Sequence, residues 1–236
     1  MHIPAQNMEI EQIYSQIMSG GNRAIAICSA NAGEGVTSIA LALAQRNLLA
    51  GNSTLLVDLN LFRPALNGLL GLEATSTETE IFDPLQIVST NYHSVALTGI
   101  TAPSKREMIM KLRRPGVLEQ CIAEWHKTFD TVIFDTSPIS RMNANNIPPE
   151  QVAAACDGSL LVVLAGHTTE AMVATAVEKI NTAGARLLGC IYNDRDNPPL
   201  KNELLREIQR LEPRFNRITH RLKMWVKQNR LLTLEI

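Results

Sequence analysis

Between residues 23 and 58 the chain passes through an apolar run, a turn with two glycines, an alanine- and leucine-rich segment and a second apolar run. No other feature constrains the fold as much. Residues 23–29 (RAIAICS) are short and apolar almost throughout, which predicts a strand covered on both faces. Residues 30–35 (ANAGEG) form a turn. Residues 37–49 (TSIALALAQRNLL) are good helix formers, stopped by Gly51 and Asn52. Residues 54–57 (TLLV) predict the next buried strand, which ends at Asp58. Two strands joined through a helix lie parallel, because a crossover of this kind returns the chain to the same end of the sheet.

The alternation continues to residue 193. Strands are expected at 85–88, 95–97, 131–134, 159–165 and 186–192, with helices at 104–127 (broken at Pro115-Gly116) and 169–183. This predicts an α/β fold: a doubly wound, mostly parallel sheet with helices on both faces. Met8, Ile10, Ile13 and Ile17 recur at helical spacing, so residues 1–22 read as an N-terminal helix. Residues 23–199 read as the α/β domain, and 200–236 as a basic helical tail packed on it. In that tail, residues 214–230 carry six Lys/Arg and no acid, with Phe215, Ile218, Leu222 and Trp225 on one helical stripe expected to be buried on the domain or, alternatively, on a partner or anionic membrane.

A net charge of −1 gives no global attraction to nucleic acid or membrane, and no nucleic-acid partner is expected. Four scattered cysteines without a C-x-x-C pair argue against zinc. The N-terminus shows no basic region before an apolar run, and no apolar stretch reaches about 18 residues. The expected location is therefore cytoplasmic.

In an open parallel sheet, ligands sit beyond the carboxyl ends of the strands. Three candidate elements fall there: the 30–37 turn, Asp58 and Asp135. Glycines let backbone N–H groups converge on an anion, and a following helix N-terminus adds free donors and a favourable dipole. Gly33, Glu34, Gly35, Val36, Thr37 and Ser38 are the nucleotide-binding candidates in the turn. A Thr37 hydroxyl with the carboxylates of Asp58 and Asp135 is the candidate Mg²⁺ set. Each aspartate alone reads better as a turn cap; the pair beside the turn favours the nucleotide site. The pattern also departs from G-x-x-x-x-G-K-[ST], because Ala30 stands at the first glycine and Val36 at the lysine.

The run CSANAGEGVTSIALALAQRNLLAGNSTLLVDLNLFRPAL resembles the bacterial tyrosine kinases of capsule and exopolysaccharide synthesis. Gly33-Glu34-Gly35, Asp58, Arg63-Pro64 with Leu66, and Asp130 to Asp135 with Pro138 match that family's motifs. ACDGSLLVVLAGHTT (155–169) and LLGCIYN ending at Asn193 are similar to two further segments, which adds Asn193 to the nucleotide-binding candidates. The resemblance implies a Mg-ATP or Mg-ADP site, an integral membrane polysaccharide co-polymerase or export protein as partner, self-association, and peripheral placement at the inner membrane through that partner. The departures point elsewhere. Val36 removes a cation, Asn60 replaces the second carboxylate of D-x-D, Phe62 replaces an arginine, and no tyrosine follows Tyr192. Nucleotide binding is therefore expected to be weak or absent. The leading expectation is a catalytically impaired regulator or scaffold of polysaccharide synthesis or export. An active ATPase or tyrosine kinase of that pathway, or a localisation-type ATPase positioning a cell-surface machine, are the alternatives.

Overall fold

The apolar runs become the centre of the sheet. A computed structural model describes residues 3–69, 90–92, 95–141, 143, 145–196, 204, 208 and 222–226. Strands β1 (Ala24–Ser29), β2 (Thr54–Leu59), β3 (Thr90–Tyr92), β4 (Val95–Ile100), β5 (Thr131–Thr136), β6 (Gly158–Leu164) and β7 (Leu187–Asn193) form one sheet in the order β3-β4-β2-β5-β1-β6-β7. Every described pairing is parallel except that of β3 with β4 at one edge. The non-sequential order follows from the crossovers. The helix over Val36–Leu49 carries the chain from β1 at the sheet's centre to β2, and later crossovers fill the gaps on either side.

Side chains alternate along each strand, so each central strand feeds two cores. Ala24, Ala26 and Cys28 of β1, with Leu55, Val57, Val132, Phe134 and Leu161, face one layer. That layer is built from helices α4 (Arg106–Leu112), α5 (Val117–Trp125), α6 (Pro149–Ala155) and α7 (Glu170–Thr182). Ile25 and Ile27, with Leu56, Ile133, Leu160 and Val162, face the other layer, made by α1 (Met8–Ser19) and α2 (Val36–Leu49). A four-residue turn of helix, α3 (Leu66–Leu69), follows β2. Helix α1 starts on Asn7, whose side chain accepts from the N–H groups of Glu9 and Ile10, so two donors of the first turn are capped. Its Glu11 pairs with Arg46 of α2, and the Arg46 guanidinium also lies 4.4 Å from the Tyr14 ring centroid.

The expected fold class holds, including the break at Pro115-Gly116, where Gly116 takes φ 84° ahead of α5. The expected strand at 85–88 lies outside the described residues. Helix α6 was not expected: it is only seven residues long and its first turn begins on Pro149, so the signal reads as a loop. The chain divides into two compact units, Met1–Asn193 and Asp194–Ile236. In the second unit residues 222–226 are helical. Leu222 and Trp225 are exposed at 44% and 58%, contrary to the stripe expected from spacing, and Val226 is buried instead. One residue is a rotation of about 100° on a helix, so the covered face is turned by that amount from the expected one. Phe215 and Ile218 lie outside the described residues. No described helix is long and apolar enough to cross a membrane.

Phe134 is fully buried at the sheet's centre and its ring lies 6.1 Å from that of Trp125. Phe134→Ala is expected to cost about 3–5 kcal/mol of unfolding free energy, measured by denaturant titration. A loss below about 1 kcal/mol would mean that the two layers are not packed as described.

Candidate phosphate and metal site

The turn between β1 and α2 is held by its backbone. Gly33 and Gly35 adopt φ 84° and 105°, conformations that side-chain-bearing residues rarely take. At Gly35 a Cβ would also fall 2.5 Å from Asn193 Nδ2, so glycine is required there twice over. Gly35 is the N-cap of α2 and offers no side-chain acceptor, which leaves the first-turn N–H groups without a side-chain cap. Such an end attracts an anion.

Glu34 fixes the turn to its neighbours. Its side chain is buried, and Oε1 accepts from the Thr168 hydroxyl at 2.6 Å and from Asn31 Nδ2 at 3.4 Å. Its carbonyl accepts from Asn193 Nδ2 at 2.8 Å. Oε2 is buried without a partner. The turn is thus tied to the loop after β6 and to the end of β7. Thr168 and Asn31 were not singled out from sequence. Thr168 lay within the family-like segment, but only the fold brings it to residue 34.

The two aspartates meet because β2 and β5 pair in register, with Asp58 opposite Asp135. Both are fully buried. Asp58 accepts from the N–H groups of Asn60 at 2.9 Å, Ala65 at 3.0 Å and Leu66 at 3.1 Å, so its carboxylate organises the loop that follows β2. Burial raises its pKa, and those three bonds oppose the rise. Asp135 is less well served. Its Oδ2 accepts from the Thr37 hydroxyl at 2.5 Å, while the buried Oδ1 has no hydrogen-bond partner among the described residues. Burial, then the charge of Asp58, push its pKa up to about 8; Thr37 and the nearby Asn60 amide pull the other way.

This donor set suits a divalent cation. An orphaned carboxylate oxygen, a hydroxyl one residue into a helix and a second carboxylate converge, and hard cations prefer oxygen ligands. Asp135 and Thr37 would hold the ion, and Asp58, already committed to three N–H groups, would contribute charge. Ser38 is half-buried on the next position of α2. Val36 behaves differently: it is buried and joins the apolar cluster shared by α1, α2 and the sheet. Of the predicted residues, Gly33 to Thr37, Asp58, Asp135 and Asn193 come together. A separate cleft of about 770 Å³, lined among others by Arg113, Glu119, Glu150 and Lys179, contains none of them.

The fold and this loop define a P-loop-type nucleotide-binding architecture, and comparisons with known proteins give it a family setting. No family model matches the chain. It is 29% identical over 197 residues to the tyrosine-protein kinase YwqD of Bacillus subtilis, covering 80% of this chain and 77% of that one. It is 28% identical over 184 residues to the tyrosine-protein kinase CpsD of Streptococcus agalactiae, covering 73% and 75%. The kinase domain of the Escherichia coli tyrosine kinase ETK superposes with a TM-score of 0.64 at 21% identity, over 80% of this chain and 74% of that one. The septum site-determining protein MinD of Pyrococcus horikoshii, solved with Mg-ADP, superposes at 0.55 and 18% identity, over 75% and 72%. The homologues of this chain are bacterial capsule-type tyrosine kinases, and its fold is shared with MinD-like ATPases.

Asp135 supplies a pH test. In the unfolded chain its carboxyl loses a proton near its ordinary value of 3.8, but in the fold it keeps it up to about 8. Stability therefore falls as pH rises through that window, because the folded state binds the extra proton. Metal-free Asp135→Asn is expected to melt higher than the parent near pH 8, by on the order of a few kcal/mol of stability. The gap should shrink towards about pH 5. Added Mg²⁺ should stabilise the parent near pH 8 and leave the variant unmoved. Identical melting curves at both pH values would remove the strained carboxylate from the site.

Proposed function

We propose that this chain is a nucleotide-binding but catalytically impaired relative of the capsule tyrosine kinases that acts as a regulator or scaffold in bacterial polysaccharide synthesis or export. One observation carries the reading. Thr37 donates to Asp135, and Asp135 pairs in register with Asp58, which supports a metal-binding half, while Val36, at the position where the resemblance expects a lysine, is buried in the core. Phosphoryl transfer depends on cations that neutralise charge developing on the transferred group, and losing one typically costs several kcal/mol of transition-state stabilisation. Binding depends less on that single charge, because backbone N–H groups and a metal ion still contact the phosphates. Asn60 in place of a second carboxylate supports the same conclusion.

The ligand supported by this geometry is Mg-ADP or Mg-ATP, as MinD's structure with Mg-ADP illustrates for the fold. The partner supported by the kinship is an integral membrane polysaccharide co-polymerase or export protein. It would hold this cytoplasmic chain at the inner membrane, with self-association as a further property of the assembly.

Calorimetric titration with Mg-ATP and Mg-ADP, run beside a radiolabelled autophosphorylation assay, tests the proposal. Weak saturable binding, no phosphotyrosine and at most trace hydrolysis are expected. Vigorous turnover abolished by Asp58→Ala would overturn the impaired reading in favour of an active kinase or ATPase. Val36→Lys restores an ammonium at the start of α2, so it is expected to tighten Mg-ATP binding about fivefold or more. It should also lower the melting temperature of the ligand-free protein, because the lysine stem and charge replace a buried valine. Unchanged affinity would mean that the loop does not cradle phosphate.

A further inference from the structure

The loss of the lysine leaves a nucleotide site with two buried carboxylates and no cation inside the loop. A candidate compensating feature lies on the segment after β5, which is bonded to the turn. Thr136 donates its hydroxyl to the Ile27 carbonyl at 2.9 Å, and Ser137 donates to the Leu59 carbonyl at 3.3 Å. The short 3-10 turn Ile139–Arg141 follows, and the Ser140 N–H donates to the Ala30 carbonyl at 2.9 Å. The residue before Arg141 is therefore bonded to the first residue of the glycine turn. The Arg141 carbonyl accepts from Asn146 Nδ2 at 2.7 Å, which holds the turn from its other side.

The side chain of Arg141 is exposed, and its guanidinium carbon lies 5.6 Å from the centroid of the Phe62 ring. Phe62 is itself 43% exposed. It stands on the loop that Asp58 fixes through three N–H groups and that Asn60 steadies by accepting from the Arg63 N–H at 3.1 Å. A guanidinium lying over an aromatic face spends that face on the ring and leaves its N–H edges free to point sideways. No carboxylate among the described residues pairs with Arg141. An arginine held by the ring, with no described carboxylate beside it, and rooted on the lip of the glycine turn, is a ready partner for an oxyanion. Its planar fork matches phosphate oxygens bidentately.

We propose that Arg141, held over Phe62, is the cationic anchor for the terminal phosphates of a nucleoside polyphosphate seated on the 30–37 turn, supplying from the β5 side the positive charge that Val36 does not. The inference rests on the nucleotide reading of this site. It makes Phe62 a positioning residue: the ring holds the guanidinium in place and does not touch phosphate. It also explains why an aromatic residue is useful at a position where the related kinases carry arginine, because a second guanidinium there would repel Arg141.

The test uses the full chain and four titrants: Mg-ATP, Mg-ADP, inorganic triphosphate and adenosine. Arg141→Ala is expected to weaken Mg-ATP and triphosphate about tenfold or more, to weaken Mg-ADP less, and to leave adenosine unchanged. Arg141→Lys should recover part of the loss, since it keeps the charge without the fork. Phe62→Ala should weaken Mg-ATP several-fold with the same bias against the longer phosphate chain, and Phe62→Leu should behave like Phe62→Ala. Melting temperatures measured without nucleotide check that each variant is folded. An Arg141→Ala protein that melts like the parent and binds Mg-ATP equally well overturns the role of Arg141 while leaving the nucleotide site standing. A pair that matters only for stability would lower the melting temperature and leave all four affinities alone, which overturns the role equally. If the parent binds none of the phosphate-bearing titrants, the nucleotide reading fails and this proposal fails with it.

Discussion

Two carboxylates on adjacent parallel strands, buried in the middle of an apolar sheet, set the terms for everything around them. Strand pairing puts Asp58 and Asp135 side by side. Their mutual repulsion and desolvation must be met locally. The chain answers differently at each. Around Asp58 the backbone of residues 60–66 folds back to bring three N–H donors, so the loop after β2 takes its shape from that carboxylate. Around Asp135 the Thr37 hydroxyl arrives, with the Asn60 amide nearby, and one oxygen is left without a hydrogen-bond partner among the described residues. Without a cation, protonation relieves the repulsion. With one, the same oxygen becomes a ligand. The unequal treatment of two otherwise similar aspartates leaves Asp135 the one whose charge is less well met, which is why the proposed site puts the metal ion there.

This asymmetry also separates what is structural in the site from what is chemical. Removing Asp58 would free three buried N–H groups and loosen the loop that carries Phe62 and Arg63. A loss of activity in such a variant would then mix chemistry with folding. Asp135 has no comparable structural duty, so changes there report on charge and metal alone. That is why the pH dependence of stability at Asp135 is a sharper probe of the site than any substitution on the β2 loop.

Most of the architecture was legible in the residues because a buried parallel strand is written as an uninterrupted apolar run, as in AIAICS and TVIF, and because each crossover helix is bracketed by glycine or proline. The turn, both aspartates and Asn193 could be placed for the same reason: they end those strands. Contacts between segments far apart in sequence were not legible. Nothing in the spacing of Glu34 and Thr168 announces a hydrogen bond across 134 residues. The stacking of Arg141 on Phe62 depends on two loops whose courses are set by Asp58 and by the end of β5. Helix α6 was missed because a proline pair hides a short helix start. The exposure of Trp225 was not legible either, because helical spacing alone does not say whether a stripe is covered by the chain itself or by a partner.

The buried Glu34 bears on why a lysine can be lost from such a loop without losing the loop. In a turn shaped mainly by its ligand, the residue that grips the ligand also holds the fold of the turn, and its removal would let the backbone relax. Here the turn is held from within the protein. Glu34 reaches Thr168 and Asn31, its carbonyl takes the Asn193 amide, Ala30 takes the Ser140 N–H, and two glycines supply the backbone angles. None of these bonds involves residue 36. The side chain at that position is therefore free to change its duty, and as valine it seals the core beneath α2. Shape and charge have become separable: the cradle is kept by hydrogen bonds that need no nucleotide, and the missing charge is open to replacement from a neighbouring element. A cation rooted outside the turn would hold phosphate from a different direction than the lysine does. On the proposed reading it would favour retention of a nucleotide over the in-line geometry of transfer.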